Sequence, residues 1–255
     1  MRNATKTCLT LASALGLLST ASTAEAAAKP TIVLVHGAFA DASGWGRLIP
    51  ILQKNGYKVV AVQNPLQSFD GDIANTKRVI DEQTGPVVVV GHSYGGAVIS
   101  GAAVGNPNVK ALVYLEAIVP DAGEPVGALL GKYPVDLASA EKVDKGGYVS
   151  IDPAKFHQVF GADLPASETA IAAVTQKPIN HTIFAASVPQ VAWKSIPSWY
   201  VVSKQDHTIN PDLERFFAKR SGARTSELDS SHVSFISHAK EVAAVIEEAS
   251  NSPGK

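Results

Sequence analysis

Cysteine is nearly absent from this 255-residue chain: Cys8 is the only one, and it lies close to the N-terminus. That count leaves no pair for a disulfide and no set of thiolates for a metal site. An excess of charge of one sign is missing too. Lys plus Arg number 22 against 23 Asp plus Glu, for a formal net charge of −1, and no basic cluster breaks the balance. Nothing therefore suggests nucleic acid, an acidic membrane surface or a polyanionic substrate as partner. Long hydrophobic runs are also lacking, since a membrane-spanning helix needs about 20 consecutive apolar residues.

What the N-terminus does have is a short apolar, charge-free run at residues 9–18, preceded by Arg2 and Lys6 and followed by residues 19–28, rich in Ala, Ser and Thr. This is the pattern of a bacterial-type secretory signal. Ala24-Glu25-Ala26 offers a cleavage site after residue 26, and Ala26-Ala27-Ala28 a later one after residue 28. The expectation is a signal peptide over 1–26 and a periplasmic or secreted mature chain. Cys8 leaves with the signal, so a cysteine nucleophile is excluded as well. Residues 29–255 are long enough to bury one substantial core and are expected to form one domain.

Within that domain the most informative stretch is Val87-Val88-Val89-Val90-Gly91-His92-Ser93-Tyr94-Gly95-Gly96. Four β-branched residues in a row predict a strand buried on both faces, and the small residues from Gly95 to Ala103 predict a helix packed closely behind it. Between them lies G-x-S-x-G, the pattern of a tight strand-to-helix turn that lifts a serine hydroxyl above a sheet. The helix that follows aims its free N–H groups at the same point, where they favour a developing anion. Ser93 is the candidate nucleophile. A second buried strand, residues 31–35, runs into His36-Gly37-Ala38-Phe39, the place for a loop that donates an oxyanion N–H. The donors are assigned to Ala38, with Phe39 as the alternative, and to Tyr94.

The rest of the chain alternates helical and strand patterns. Helices are expected at 45–54, 73–83, 153–160, 168–174, 212–219 and 240–249, and strands at 57–62, 109–119, 198–202 and 225–228. Such alternation argues for an α/β fold, a mostly parallel sheet covered by helices on both faces. Residues 120–197 break the rhythm with scattered Pro and Gly, and are read as a cap over the site whose aromatic residues supply pocket wall and cap core. His36, Phe39, Glu116 and Trp193 are the candidate pocket residues. His157 and His181, within the cap, read as surface or packing histidines.

A serine nucleophile needs a base and an orienting acid, and in this architecture they follow in the order serine, acid, histidine. His232 lies directly after the last strand and is the candidate base. Asp206 follows the next-to-last strand and is the candidate acid. Glu116 is its rival, because a carboxylate on an otherwise apolar strand is costly to bury unless paired.

Together, Val35-His36-Gly37-Ala38, Gly44-Trp45, Gly91-His92-Ser93-Tyr94-Gly95-Gly96, Asp206 with Pro211, and Ser231-His232 resemble the α/β-hydrolase superfamily. More narrowly they resemble the branch of plant methyl-ester esterases and hydroxynitrile lyases with their bacterial serine-esterase relatives. The resemblance covers nearly all of residues 29–255. It implies an α/β-hydrolase fold and a Ser93, His232, Asp206 triad that hydrolyses small acyl or aryl carboxylic esters through an acyl-enzyme, with no metal or organic cofactor. The lyases of that branch carry a lysine beside the triad histidine and a threonine after the first-loop histidine, where this chain has Val233 and Gly37. Two other readings stay open: a cofactor-free haloperoxidase or perhydrolase using the same triad, and a catalytically idle protein that holds a small ligand under the cap. The sequence carries no mark of oligomeric state.

Overall fold

A computed structural model describes residues 1–2 and 29–252. The expected signal, apart from its first two residues, lies outside the described residues with Cys8 and both cleavage motifs. The described chain opens with β1 (Thr31–Val35), a 3-10 turn over Ala42–Arg47, α1 (Ile49–Lys54), β2 (Val59–Val62), α2 (Phe69–Asp81), β3 (Val87–His92), α3 (Tyr94–Ala102) and β4 (Val109–Leu115). An 82-residue excursion follows, from residue 116 to residue 197, holding β5 (Glu141–Val143), β6 (Tyr148–Ile151), α4 (Pro153–Phe160), α5 (Ala166–Thr175) and β7 (Ile179–Asn180). The chain then returns through β8 (Ser198–Ser203), α6 (Pro211–Arg220), β9 (Arg224–Leu228), α7 (Ser234–Ser237) and α8 (Ala239–Asn251).

Six strands pair in the order β2-β1-β3-β4-β8-β9, every neighbour parallel. Every residue of β1 and β3 is buried, as valine-rich strands covered on both faces require. α3 and α8 each lie across β3 and β4, with α2 packed on α3 and α1 on α8. The order places β2 on one side of β1 and β3 on the other, so the winding reverses between β1 and β3. The crevice at the carboxyl ends of such a pair is where open parallel sheets bind ligands, and His36-Gly37-Ala38-Phe39 and Ser93 emerge there.

The excursion is the expected cap. It carries a small antiparallel sheet, β5-β6-β7, that no alternating pattern announced. Its α4 fits residues 153–160 as predicted, with Pro153 at the first turn and the Asp152 side chain accepting from the Ala154 N–H at 3.0 Å. One strand is shorter than expected: β4 stops at Leu115, and Glu116 lies just past it with φ of 35°. The stretch 45–54 divides, a 3-10 turn carrying buried Trp45 and then a short helix from Ile49. Pro50 at the start of that helix accounts for the break, since proline fits a first helical turn and not an interior.

Candidate active site

The turn between β3 and α3 folds as its glycines allow. Ser93 has φ 54° and ψ −126°, a strained conformation for a residue with a side chain. A Cβ on Gly91 would meet the Gly95 carbonyl at 2.7 Å, and one on Gly95 would meet the Val35 oxygen at 2.5 Å and the His36 oxygen at 2.7 Å. Helix and strands can approach only because both side chains are absent. Tyr94 holds the turn from the other side, its buried hydroxyl donating to Asp72 Oδ2 at 2.8 Å. Burial and the neighbouring Asp72 charge raise that phenol far above its ordinary range, so it stays a donor.

Ser93 Oγ donates to His232 Nε2 at 2.8 Å, and His232 Nδ1 donates to Asp206 Oδ2 at 2.5 Å. All three residues are buried, His232 completely. The other Asp206 oxygen accepts the N–H groups of Thr208 at 2.6 Å and Ile209 at 3.0 Å, which fixes the carboxylate in one orientation. His92 backs His232: its Nε2 donates to the His232 carbonyl at 2.8 Å, and the two rings lie 4.8 Å apart. Burial, reinforced by His232, holds His92 well below the usual histidine pKa, so it is a neutral support. The Phe160 ring covers His232 from the cap at 5.1 Å.

A cavity of about 40 Å³ opens on Ser93, lined by Ala38, Phe39, Tyr94 and the apolar Ile118, Leu130, Leu137, Phe184 and Ile209, with Glu141 and Thr208 also on its wall. Phe39 adopts φ 61°, so the loop after β1 is strained where it faces the serine. The N–H of Tyr94, the first residue of α3, has no acceptor within its own helix. A larger cavity of about 420 Å³, also bordered by Phe39, lies between the turn at Asp41–Gly44 and α4, α5 and α7.

The sequence profile of the alpha/beta hydrolase family matches residues 32–245. The chain belongs to that family. Among its relatives, Methylesterase 8 of Arabidopsis thaliana is 23% identical over 215 residues, covering 74% of this chain and 76% of its own. An alpha-hydroxynitrile lyase of Arabidopsis thaliana is 33% identical over 119 residues, 41% of this chain and 46% of its own. The crystal structure of polyneuridine aldehyde esterase superposes with a TM-score of 0.77 at 20% identity, covering 88% of this chain and 100% of that one.

Three candidate pocket residues of this α/β hydrolase lie elsewhere. His36 is buried beneath its loop, with Nδ1 donating to the Gly37 carbonyl at 2.9 Å and Nε2 accepting from the Asn64 N–H at 3.0 Å. Both ring nitrogens are thus used in holding the loop, and burial lowers its pKa. Trp193 is buried against α3 and donates its indole N–H to the Pro120 carbonyl at 2.9 Å, which fastens the base of the cap. Glu116 is completely buried and bonds to Ser203 and Ser234, so it lines no pocket and is not the partner of His232. Phe39 does face the cavity. His157 bonds to Thr169 and His181 to the Gly147 carbonyl, both in the cap and neither on the triad.

Glu214 has no counterpart among the sequence candidates. It is wholly buried on α6, accepts the Ser203 N–H at 2.9 Å, and its carboxyl is raised well above the ordinary range by burial and by Asp206. A signal was available: Leu213, Glu214, Phe217 and Ala218 are the buried residues of α6, so helical spacing puts the glutamate on the apolar face.

Proposed function

We propose that this α/β hydrolase is an exported serine esterase acting on small acyl or aryl carboxylic esters. The observation that carries the reading is the continuous hydrogen-bonded line Ser93 Oγ, His232, Asp206 at a strained turn beside an apolar cavity. Ser93 attacks the ester carbonyl while His232 Nε2 takes its proton, then returns it to the departing alcohol. Asp206 keeps the imidazole in the tautomer that leaves Nε2 free to accept, and stabilises the imidazolium. The N–H groups of Ala38 and Tyr94 receive the oxyanion, each contributing about 3 kcal/mol in comparable sites. Water activated by the same histidine resolves the acyl-enzyme.

The cavity volume favours a short acyl group, and the names of the similar methylesterase and polyneuridine aldehyde esterase favour an ester. Against lyase chemistry stand Gly37 and buried, uncharged Val233 at the two positions that cyanide release would use. Export rests on residues 1–28 alone, and the mass of the chain recovered from the periplasm or medium of an expressing bacterium tests it. The catalytic reading is tested with p-nitrophenyl acetate and butyrate on the chain starting at residue 29. Ser93→Ala is expected to lower kcat by a factor of about 10³ or more. Equal rates for the two proteins would put the bound-ligand reading ahead of the esterase.

A further inference from the structure

Beneath the triad lie two buried acids that the acyl-transfer steps leave unused. Glu116 and Glu214 are fully buried, and the triad's Asp206 nearly so. Among the described residues their ion pairing is limited to His232 on Asp206, and no group of His, Cys, Asp or Glu is placed to hold a metal ion. We infer that Glu116 is a positioning residue of the triad, its carboxyl group fixing the His232 turn through Ser234 and the Asp206 loop through Ser203. The inference rests on the esterase reading of Ser93.

Three sets of contacts converge on this residue. Its backbone neighbours bracket the nucleophile: the Leu115 carbonyl accepts the Ser93 N–H at 3.1 Å, and the Ile118 N–H donates to the Ser93 carbonyl at 3.0 Å. Its Oε1 accepts the Ser234 N–H at 3.0 Å, two residues beyond His232. Its Oε2 lies 2.8 Å from Ser234 Oγ and 3.0 Å from Ser203 Oγ, and Ser203 Oγ continues to Ser230 Oγ at 2.8 Å. Ser203 in turn holds the Asp206 loop, its carbonyl accepting the Asp206 N–H at 3.2 Å. One carboxyl group thus joins the strand end beside Ser93, the loop of the acid and the turn of the base. The backbone at Glu116 has φ 35°, a left-handed conformation that residues with a side chain rarely adopt. Glycine would relieve that strain but make none of these bonds.

The protonation state follows from the surroundings. Asp206 and Tyr200 face Glu116 from β8 and its loop, Glu214 from α6, and His232 and His92 lie beyond Ser234 and Asp206. Burial first, then the Asp206 charge, raises Glu116 to about 8, and Ser234 and Ser203 offset only part of this. Near neutral pH the group is a carboxylic acid. Oε1 accepts from an amide, so the proton sits on Oε2, where a serine hydroxyl can accept it. Ionisation would place a second anion against Asp206 and push the two loops apart.

The test compares Glu116→Gln and Glu116→Leu with the unsubstituted chain and Ser93→Ala, using p-nitrophenyl acetate turnover between about pH 6 and about pH 10. The low-field proton resonance of the His232–Asp206 bond is a second readout that needs no substrate. Glu116→Leu should lower kcat by about 30-fold or more with KM within about threefold, and displace that resonance. Glu116→Gln, which keeps donor and acceptor but cannot ionise, should restore kcat to within about fivefold and remove the alkaline decline centred near pH 8. A folded Glu116→Leu with unchanged kcat and resonance overturns the inference, as does a Glu116→Gln that keeps the alkaline decline. If Glu116→Leu does not fold, Ser203→Ala with Ser234→Ala is judged by the same kcat and resonance criteria. Undiminished activity in Ser93→Ala sinks the esterase reading instead, and the resonance then judges Glu116 alone.

Discussion

Gly37 matters for the side chain it lacks. A Cβ there would lie 2.7 Å from Ser93 Cβ and 3.0 Å from the His92 carbonyl, so even alanine must displace Ser93 or the loop that faces it. Gly37→Ala is expected to cost about 1–3 kcal/mol of stability through overpacking. The rate should suffer more, since a displacement of about 1 Å at the reacting atoms costs about 100-fold. Melting temperature and p-nitrophenyl acetate turnover measured on the same preparation check both halves, and a folded variant with wild-type kcat would show that the contact is tolerated. Threonine, the residue of the lyase-like pattern, would require a larger shift. At this scale Ser93, Asp206 and His232 are legible in the sequence because each follows a strand directly, a local relation that pattern reading detects. Glu116 and Glu214 are not. Glu116 takes its meaning from serines 87 and 118 residues away, and the carboxyl group that reads as pocket or acid is instead a hydrogen-bonded tie beneath the triad.

Among the elements, α4 brings the cap against His232. Phe160 ends α4 with its ring against His232 at 5.1 Å, Phe156 at 4.9 Å and Phe39 at 6.5 Å. Phe39 lines both the 40 Å³ cavity at Ser93 and the 420 Å³ cavity walled by Phe156, Phe160, Ile171, Ala172 and Phe235, and the Phe160 ring packs edge-on against that of Phe39. Phe160→Ala removes the ring that supports Phe39 in that shared wall. It should lower stability by about 3–5 kcal/mol, as removal of a buried ring does, and shift preference toward longer acyl chains. A series of p-nitrophenyl esters from acetate to octanoate reads the shift as the ratio of kcat/KM values; an unchanged ratio would mean that the rings do not set acyl length. The helical spacing of α4 and α5 is visible in the sequence. The β5-β6-β7 sheet is not, because its strands are two to four residues long and too short for an alternating pattern to declare itself.

For the whole molecule, the buried titratable groups give stability a pH dependence with two opposing parts. His36 and His92 are lowered by burial, so the unfolded chain binds protons that the folded one refuses once pH falls below about 6.5, and acid destabilises. Asp72, Glu116 and Glu214 are raised by burial, so the folded chain keeps protons that the unfolded one releases above about pH 4.5, and stability falls as pH climbs toward the folded values. Above about pH 6.5 the histidines contribute no further slope and the acids remain. Melting temperature should therefore decline between pH 6.5 and the value of about 8 reached by Glu116, by about 3 °C or more. Glu116→Gln with Glu214→Gln should flatten that decline while leaving the acid limb in place, because an amide has no proton to lose and the histidines are untouched. Scanning calorimetry across the range decides the matter: a doubly substituted chain that melts with the same slope above pH 6.5 would mean that these carboxyl groups are already ionised in the folded state. That result would require the triad to tolerate three adjacent anions, which the absence of a cation beside Glu116 and Glu214 among the described residues makes costly.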